Sequence, residues 1–317
     1  MKILIADDDP ISRRLLEKTL EREGFDVIAV DNGRSALERL SLPNGPRLAL
    51  LDWVMPELDG IGVCLGVQKL HDRSYIHIVL LTSKGSKEDV VAGLNSGAND
   101  YLTKPWDPAE LVARLRVGQR VLQLEDGLVE ARETMRFKAT HDSLTSLLNR
   151  GVIVDSLARE LTRTRREGRC TVVMLADLDH FKAVNDGHGH LVGDEVLKEV
   201  ARRLLASVRS YDLVGRYGGE EFLIVLNNCD SSQAFERAEE VRRGIAGSPI
   251  QTSYGPLHIT MSIGVLASRD WELNLVEDIL SETDSALYKA KADGRNCVSF
   301  ARPILQGGSP NTLINQL

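Results

Sequence analysis

From residue 2 to about residue 115, short apolar runs alternate with amphipathic segments of helical length, and that alternation admits few folds. Strands joined through helices run parallel, because each crossover returns the chain to the same end of the sheet, and a parallel sheet needs helices over both faces. Candidate strands are residues 3–6, 27–30, 48–51, 77–81 and 101–102. Doubly wound sheets of this kind bind ligands at the carboxyl ends of their strands. At those ends stand Asp7, Asp8, Asp52, Thr82 and Lys104, all polar and all next to apolar runs.

Three carboxylates at one rim repel one another, so the cluster calls for a divalent cation when ionised. Acids that merely cap the following helices would account for Asp9 and partly for Asp7. They would not account for Asp52, Thr82 and Lys104 together. With Leu51-Asp52-Trp53-Val54-Met55-Pro56, Leu80-Leu81-Thr82-Ser83 and Lys104-Pro105, residues 1–115 resemble the receiver domain of response regulators. The resemblance implies that Asp8, Asp52 and the Val54 carbonyl hold Mg²⁺ beside Asp7. It further implies that Asp52 accepts a phosphoryl group from a cognate histidine kinase, that Thr82 and Lys104 bind the new phosphoryl oxygens, and that Tyr101 is the switch aromatic.

Residues 108–138 contain no proline after Pro108 and read as one long helix opening at Asp107-Pro108. Within it Val117, Val121, Leu124, Leu128, Ala131 and Met135 are spaced 4, 3, 4, 3 and 4 apart. That is a heptad seam, and it predicts a helical linker over 116–139 that pairs as a parallel coiled coil in a homodimer. A single helix packed on its own domains is the alternative. Gly118 and Gly127 are each expected to weaken the helix by roughly 1 kcal/mol relative to alanine.

A second signal lies at Arg216-Tyr217-Gly218-Gly219-Glu220-Glu221-Phe222, between apolar runs at 213–214 and 223–226. A glycine pair suits the tight turn of a hairpin and leaves a bare surface that a ligand can approach, while Glu220 and Glu221 offer hard oxygen ligands. Alone, this is an ordinary solvated turn. Upstream, however, the apolar run 172–176 delivers Asp177 and Leu178 to a polar turn, and residues 187–194 lead into an amphipathic helix over 195–207.

Taken together, residues 141–300 resemble the GGDEF domain of diguanylate cyclases, an α/β nucleotidyl-cyclase-like fold expected here over 140–302. Such enzymes make cyclic di-GMP from two GTP. The resemblance implies catalytic roles for Asp177, Glu220 and Glu221, with Mg²⁺ on Asp177, the Leu178 carbonyl and Glu220. It places guanine against Asn185 and Asp194, and phosphates near Gly218, Gly219, the backbone of Phe181-Lys182, Lys291 and Arg295. Lys291 and Arg295 are four apart at an expected helix end, where a plain surface pair is the alternative. Arg209-Ser210-Tyr211-Asp212 resembles the family's inhibitory site for cyclic di-GMP. A local ion pair is the rival there, and Arg237, Arg242 and Arg243 are candidates for a second arginine.

The opening motif at 141–150 departs from the family at Ser146, usually glycine, and Asp142 and Arg150 are expected to tie that turn together. A helix over 234–245 and a strand over 257–267, with His258 as a core or edge residue, read as structural. Residues 303–317 read as a disordered tail. A net charge of −7 argues against broad binding to nucleic acid or anionic membrane. With no apolar run of membrane-spanning length, and with scattered Cys64, Cys170, Cys229 and Cys297, the expectation is a cytoplasmic protein with reduced thiols. Two other classes stay open. One is a GGDEF module that senses nucleotide without turnover, against which the intact acids count. The other is a transcriptional regulator, for which no basic recognition helix follows the receiver.

Overall fold

The computed structural model describes residues 1–70, 74–83, 87–229, 231–268 and 275–301, so the expected tail lies outside the described residues. The chain forms two units, Met1–Glu133 and Thr134–Leu317.

In the first unit, β1 (Lys2–Ala6), α1 (Pro10–Arg22), β2 (Asp26–Val30), α2 (Gly33–Ser41), β3 (Leu48–Asp52), α3 (Gly60–Gln68), β4 (His77–Thr82), α4 (Lys87–Asn95) and β5 (Asp100–Thr103) alternate. The five strands run parallel in the order β2-β1-β3-β4-β5. Every residue of β3 and β4 is buried, as a sheet covered on both faces requires. Helix starts are fixed by short polar side chains: Asp9, Asn32 and Asp59 each accept backbone N–H groups from the first turn that follows.

The long helix α5 (Pro108–Thr140) is continuous over 33 residues. Its Leu111, Leu115 and Leu122 are buried with Ile3, Ile5, Leu48 and Val79, so packing on the first unit extends past residue 115. Gly118 has a specific reason to be glycine. A Cβ there would come within 2.5 Å of His77 Cδ2 and 3.0 Å of a Leu48 methyl, so its absence lets the helix lie close on the sheet. Gly127 faces open space, and only there does the expectation of a weakened helix stand without compensation. Of the heptad positions, Val117, Leu124, Leu128 and Met135 are 45–75% exposed.

The second unit continues with α6 (Arg150–Glu167), β6 (Thr171–Leu178), α7 (Phe181–His188), α8 (His190–Ser207), β7 (Leu213–Gly218), β8 (Glu221–Asn227), α9 (Ser231–Ala246), β9 (Ile250–Thr252), β10 (Gly255–Leu257), β11 (Met261–Ala267), α10 (Val276–Ala292) and β12 (Val298–Phe300). Its main sheet has the order β12-β11-β6-β8-β7, with β6 central and fully buried, and β9-β10 stand apart as a hairpin. Three expectations are corrected here. The polar segment after β6 is helical from Phe181, with one further helix starting at His190 rather than at 195. The strand expected over 257–267 is two strands separated by residues 258–260, and His258 is exposed between them.

Candidate functional site

Register places the acids of the second unit. In the β6–β8 pairing Asp177 stands opposite Glu221, and the Leu178 N–H donates to the Glu220 carbonyl at 3.3 Å. The β7–β8 turn is irregular, with the register slipping between Arg216 and Gly218, and Gly219 takes a left-handed φ of 47°. A Cβ at Gly219 would meet nothing within 4 Å, so the turn surface is bare. Lys291, in the last turn of α10, places its Nζ 2.9 Å from Asp177 Oδ2. Burial pushes the Asp177, Glu220 and Glu221 carboxyls up; the Asp177 charge pushes both glutamates further, and Lys291 opposes the rise in all three. Burial and mutual repulsion leave these carboxylates in need of positive charge, which Lys291 supplies to Asp177; among the described residues their oxygens do not all lie within 4.8 Å of one another as those of Asp7, Asp8 and Asp52 do.

The other expected contacts fall around this centre. Phe181 is a buried core residue, so only its backbone faces outward chemistry; α7 opens at left-handed His180 with no side-chain cap on its first amides. Lys182 is exposed. Asn185 packs against Gly193, where a Cβ would lie 2.0 Å from Asn185 Oδ1, so Asn185 and Asp194 are brought together from α7 and α8. Lys291 and Arg295 flank the end of α10, Lys291 in its last turn and Arg295 just beyond it in a left-handed pair with Asn296.

Two residues that hold this centre went unassigned in the sequence. Asp179, buried, accepts Thr260 Oγ1 at 2.7 Å, Ser262 Oγ at 2.6 Å and the Asn296 N–H at 2.9 Å, tying the end of β6 to β11 and to the Arg295 loop. Its spacing of two from Asp177 was the available signal. Arg216 donates through Nε to the Gly219 carbonyl at 2.9 Å and through Nη1 to both Asp142 oxygens at 3.1 and 3.2 Å. Burial alone would raise the Asp142 carboxyl, but hydrogen bonds from Thr145 and the Arg216 guanidinium hold it below the usual range. Arg150 lies 4.5 Å over the Tyr217 ring. Ser146 adopts φ 58°, the conformation that the usual glycine supplies freely.

Arg209 and Asp212 face different surroundings. The Asp212 carboxylate is committed, accepting the Arg209 and Asn227 backbone N–H groups at 2.9 and 3.0 Å, while the Arg209 guanidinium is exposed and reaches Tyr211 Oη at 2.6 Å. Arg237 lies 4.0 Å from Asp212, whereas Arg242 and Arg243 pair with Glu239.

In the first unit, Asp7, Asp8 and Asp52 place ligand oxygens within 4.8 Å of one another, a donor set that fits Mg²⁺. Lys104 Nζ bridges Asp7 and Asp52 at 2.9 and 2.7 Å. Burial drives the Asp52 carboxyl up against the pull of Lys104. For Lys104, burial would lower the ammonium, and its bonds to Asp52 and Asp7 outweigh that and raise it. Thr82 is buried beside Asp52's strand, and partly buried Tyr101, paired with Leu80 in the sheet, packs against the core of this unit. The backbone of exposed Val54 follows two residues after Asp52.

The profile of the family described as diguanylate cyclase, GGDEF domain, matches residues 139–297, half of the chain, and that of the response regulator receiver domain matches residues 3–116. The chain belongs to the GGDEF diguanylate cyclase family, with an N-terminal receiver. It is 31% identical over 299 residues to the response regulator PleD of Caulobacter vibrioides, covering 94% of this chain and 65% of PleD's length. It is 38% identical over 169 residues to the diguanylate cyclase DgcP of Pseudomonas aeruginosa, over 53% of this chain and 25% of that one. The crystal structure of the coiled coil and GGDEF domain of DgcB from Caulobacter crescentus, in complex with c-di-GMP, superposes with a TM-score of 0.52 at 29% identity, covering 60% of this chain and 99% of DgcB's. The diguanylate cyclase SiaD from Pseudomonas aeruginosa, in complex with its activator SiaC, gives 0.50 at 32% identity over 61% of this chain and 74% of that one. Among the described residues no helix is long and apolar enough to cross a membrane.

Proposed function

We propose that the chain is a phosphorylation-activated diguanylate cyclase, condensing two GTP into cyclic di-GMP and two pyrophosphates across a dimer of GGDEF domains. One observation carries the reading: Asp177 and Glu221 stand in register beside Glu220 and a bare glycine turn, with Lys291 2.9 Å from Asp177. Asp177, the Leu178 carbonyl and Glu220 would hold Mg²⁺, which when bound neutralises the triphosphate and acidifies the attacking 3′-hydroxyl. Glu221, its proton affinity raised by burial and by Asp177, assists that binding or takes the hydroxyl proton. Asn185 offers guanine a donor and an acceptor, and Asp194 accepts from the ring N–H and the amino group. Lys291, Arg295, the glycine turn and the first amides of α7 receive the phosphates.

One domain holds one GTP, so each 3′-hydroxyl must attack the α-phosphate held by a second copy. The exposed seam from Val117 to Met135 supports pairing through α5, as does the coiled coil in the DgcB fragment. In the receiver, Asp8, Asp52 and the Val54 carbonyl would hold Mg²⁺ beside Asp7, and a histidine kinase would phosphorylate Asp52. Lys104 and Thr82 then bind the phosphoryl oxygens and Tyr101 follows. Within the second unit, the chain Asp142–Arg216–Gly219 supports a route from the end of α5 to the catalytic turn. Arg209 and Asp212, with Arg237 as the second arginine, form the product-inhibition site, and the protein acts in the cytoplasm.

The test is to incubate the protein with GTP and Mg²⁺, with and without beryllofluoride as a phosphoryl mimic, and to quantify cyclic di-GMP by chromatography. Product that rises with the mimic is expected. Product indifferent to it removes the receiver coupling, and bound nucleotide without product replaces the enzyme with a sensor.

A further inference from the structure

Outside the family's motifs, the β9–β10 hairpin has an unusual set of attachments. The connection that leads into it from α9 is rooted on α8: Arg203 donates to the Ile245, Ser248 and Pro249 carbonyls at 2.9, 2.7 and 3.0 Å, and Glu199 holds the same guanidinium at 2.9 Å. The hairpin tip is closed by Thr252 Oγ1 donating to the Gly255 carbonyl at 2.7 Å. Two successive tip residues then touch two different helices. The Ser253 N–H donates to Glu195 Oε2 of α8 at 2.7 Å, and the Tyr254 ring packs on His188, the last residue of α7, at 4.1 Å between centroids. His188 Nδ1 is buried with no hydrogen-bond partner among the described residues, which leaves the Tyr254 stack to fix that ring.

The junction so clasped turns on one residue. Gly189 at φ 84° is the sole residue between α7 and α8; its N–H closes α7 on the Asn185 carbonyl at 2.8 Å, and among the described residues no side chain caps the start of α8. Asn185 lies one helical turn before His188, and Asp194 immediately precedes Glu195. Two groups that must grip the edge of one base therefore ride on separate helices joined at a glycine, and a base-reading pair needs its spacing held to a fraction of an ångström.

We infer that the β9–β10 hairpin is a brace for guanine recognition, with Tyr254 and Glu195 as positioning residues that set the spacing of Asn185 and Asp194 and hence affinity for, and selectivity towards, guanine. The inference rests on the reading of Asn185 and Asp194 as the base contacts. Neither Tyr254 nor Glu195 touches the base; they act through the angle between α7 and α8.

The full chain as Tyr254→Ala, Tyr254→Phe, Glu195→Ala and Glu195→Gln, with Asn185→Ala and Asp194→Ala as references, is titrated calorimetrically with GDP and with IDP, which lacks the exocyclic amino group. Neither diphosphate is consumed by the reaction, so affinity is read apart from turnover. Tyr254→Ala and Glu195→Ala are expected to weaken GDP by roughly five- to tenfold and IDP by less than about twofold, so the GDP preference collapses towards that of Asp194→Ala. The KM for GTP rises by a similar factor while kcat changes by less than about twofold. Tyr254→Phe keeps the ring and Glu195→Gln keeps an acceptor oxygen, and both retain the preference. Should Glu195→Ala fail to fold, Tyr254→Ala, which loses a 68% exposed side chain, decides alone. GDP and IDP weakened in parallel, or neither weakened, overturns the brace. An unchanged preference in Asn185→Ala and Asp194→Ala overturns the base reading itself, and the brace with it.

Discussion

Ser146 is where a strained backbone predicts a gain in stability from removing atoms. It stands at φ 58°, exposed, its N–H donating to the Asp142 carbonyl at 2.9 Å and its hydroxyl unbonded among the described residues. A non-glycine residue in the left-handed region costs roughly 1–2 kcal/mol, and Ser146→Gly removes most of that. Against this, glycine gives the unfolded chain more freedom, which costs roughly 0.4–1 kcal/mol. The strain is the larger quantity, so a net stabilisation of about 0.5–1 kcal/mol is expected, close to the midpoint difference of those ranges. For a domain of this size that is a rise of ~1–4 °C in the transition of the second unit.

The two units need not unfold together, so a single whole-chain melt is a poor assay. Hydrogen exchange of the fully buried strand β6 reports the second unit directly. In the regime where exchange follows opening free energy, its amides should slow by about two- to fivefold in Ser146→Gly, while Ser146→Ala, which keeps the Cβ, should stay near wild type. An alanine variant as protected as the glycine one would show that the hydroxyl, not the backbone conformation, carries the effect. A glycine variant no more protected than wild type would refute the strain argument itself.

The two glycines of α5 should respond with opposite signs. Gly118→Ala drives a Cβ to 2.5 Å from His77 and should destabilise the first unit by ~1–3 kcal/mol in denaturant unfolding, overwhelming its helix-propensity gain, whereas Gly127→Ala meets nothing and should add up to about 1 kcal/mol. Lys291→Met leaves the buried Asp177 without its cation; hydrogen-exchange protection of the β6 amides should fall in metal-free buffer, and added Mg²⁺ should restore it more than in wild type. Glu199, held at about 2 by Arg202 and Arg203, has a folded value below its unfolded one of 4.5, so its contribution is complete above 4.5 and is lost as pH falls towards 2. Urea unfolding of Glu199→Gln should therefore show a shallower loss of stability across that window.

The first unit was legible because each of its signals is local. An apolar run, the polar residue at its carboxyl end and the cap of the next helix lie within a few positions, and Asp7, Asp8, Asp52 and Lys104 meet simply because parallel strands end on one rim. The acids of the second unit were legible for the same reason, Glu220 and Glu221 being fixed by a hairpin whose turn they adjoin. What escaped notice is carried by long-range pairings. Asp179 is defined by Thr260, Ser262 and Asn296, and Arg216 by Asp142, partners 74 to 117 positions away. No periodicity announces such a bond, because a buried carboxylate selects its donors by where the sheet delivers them and not by spacing in the chain. The same cause sets the conformation at Arg295: Asp179 accepts the Asn296 N–H and holds the chain in two left-handed steps just after α10 has ended. Ser146 shows the converse, a departure visible in the sequence whose meaning needed a dihedral angle. At each of these positions the residue type was readable from one stretch of chain, and its task was set by another.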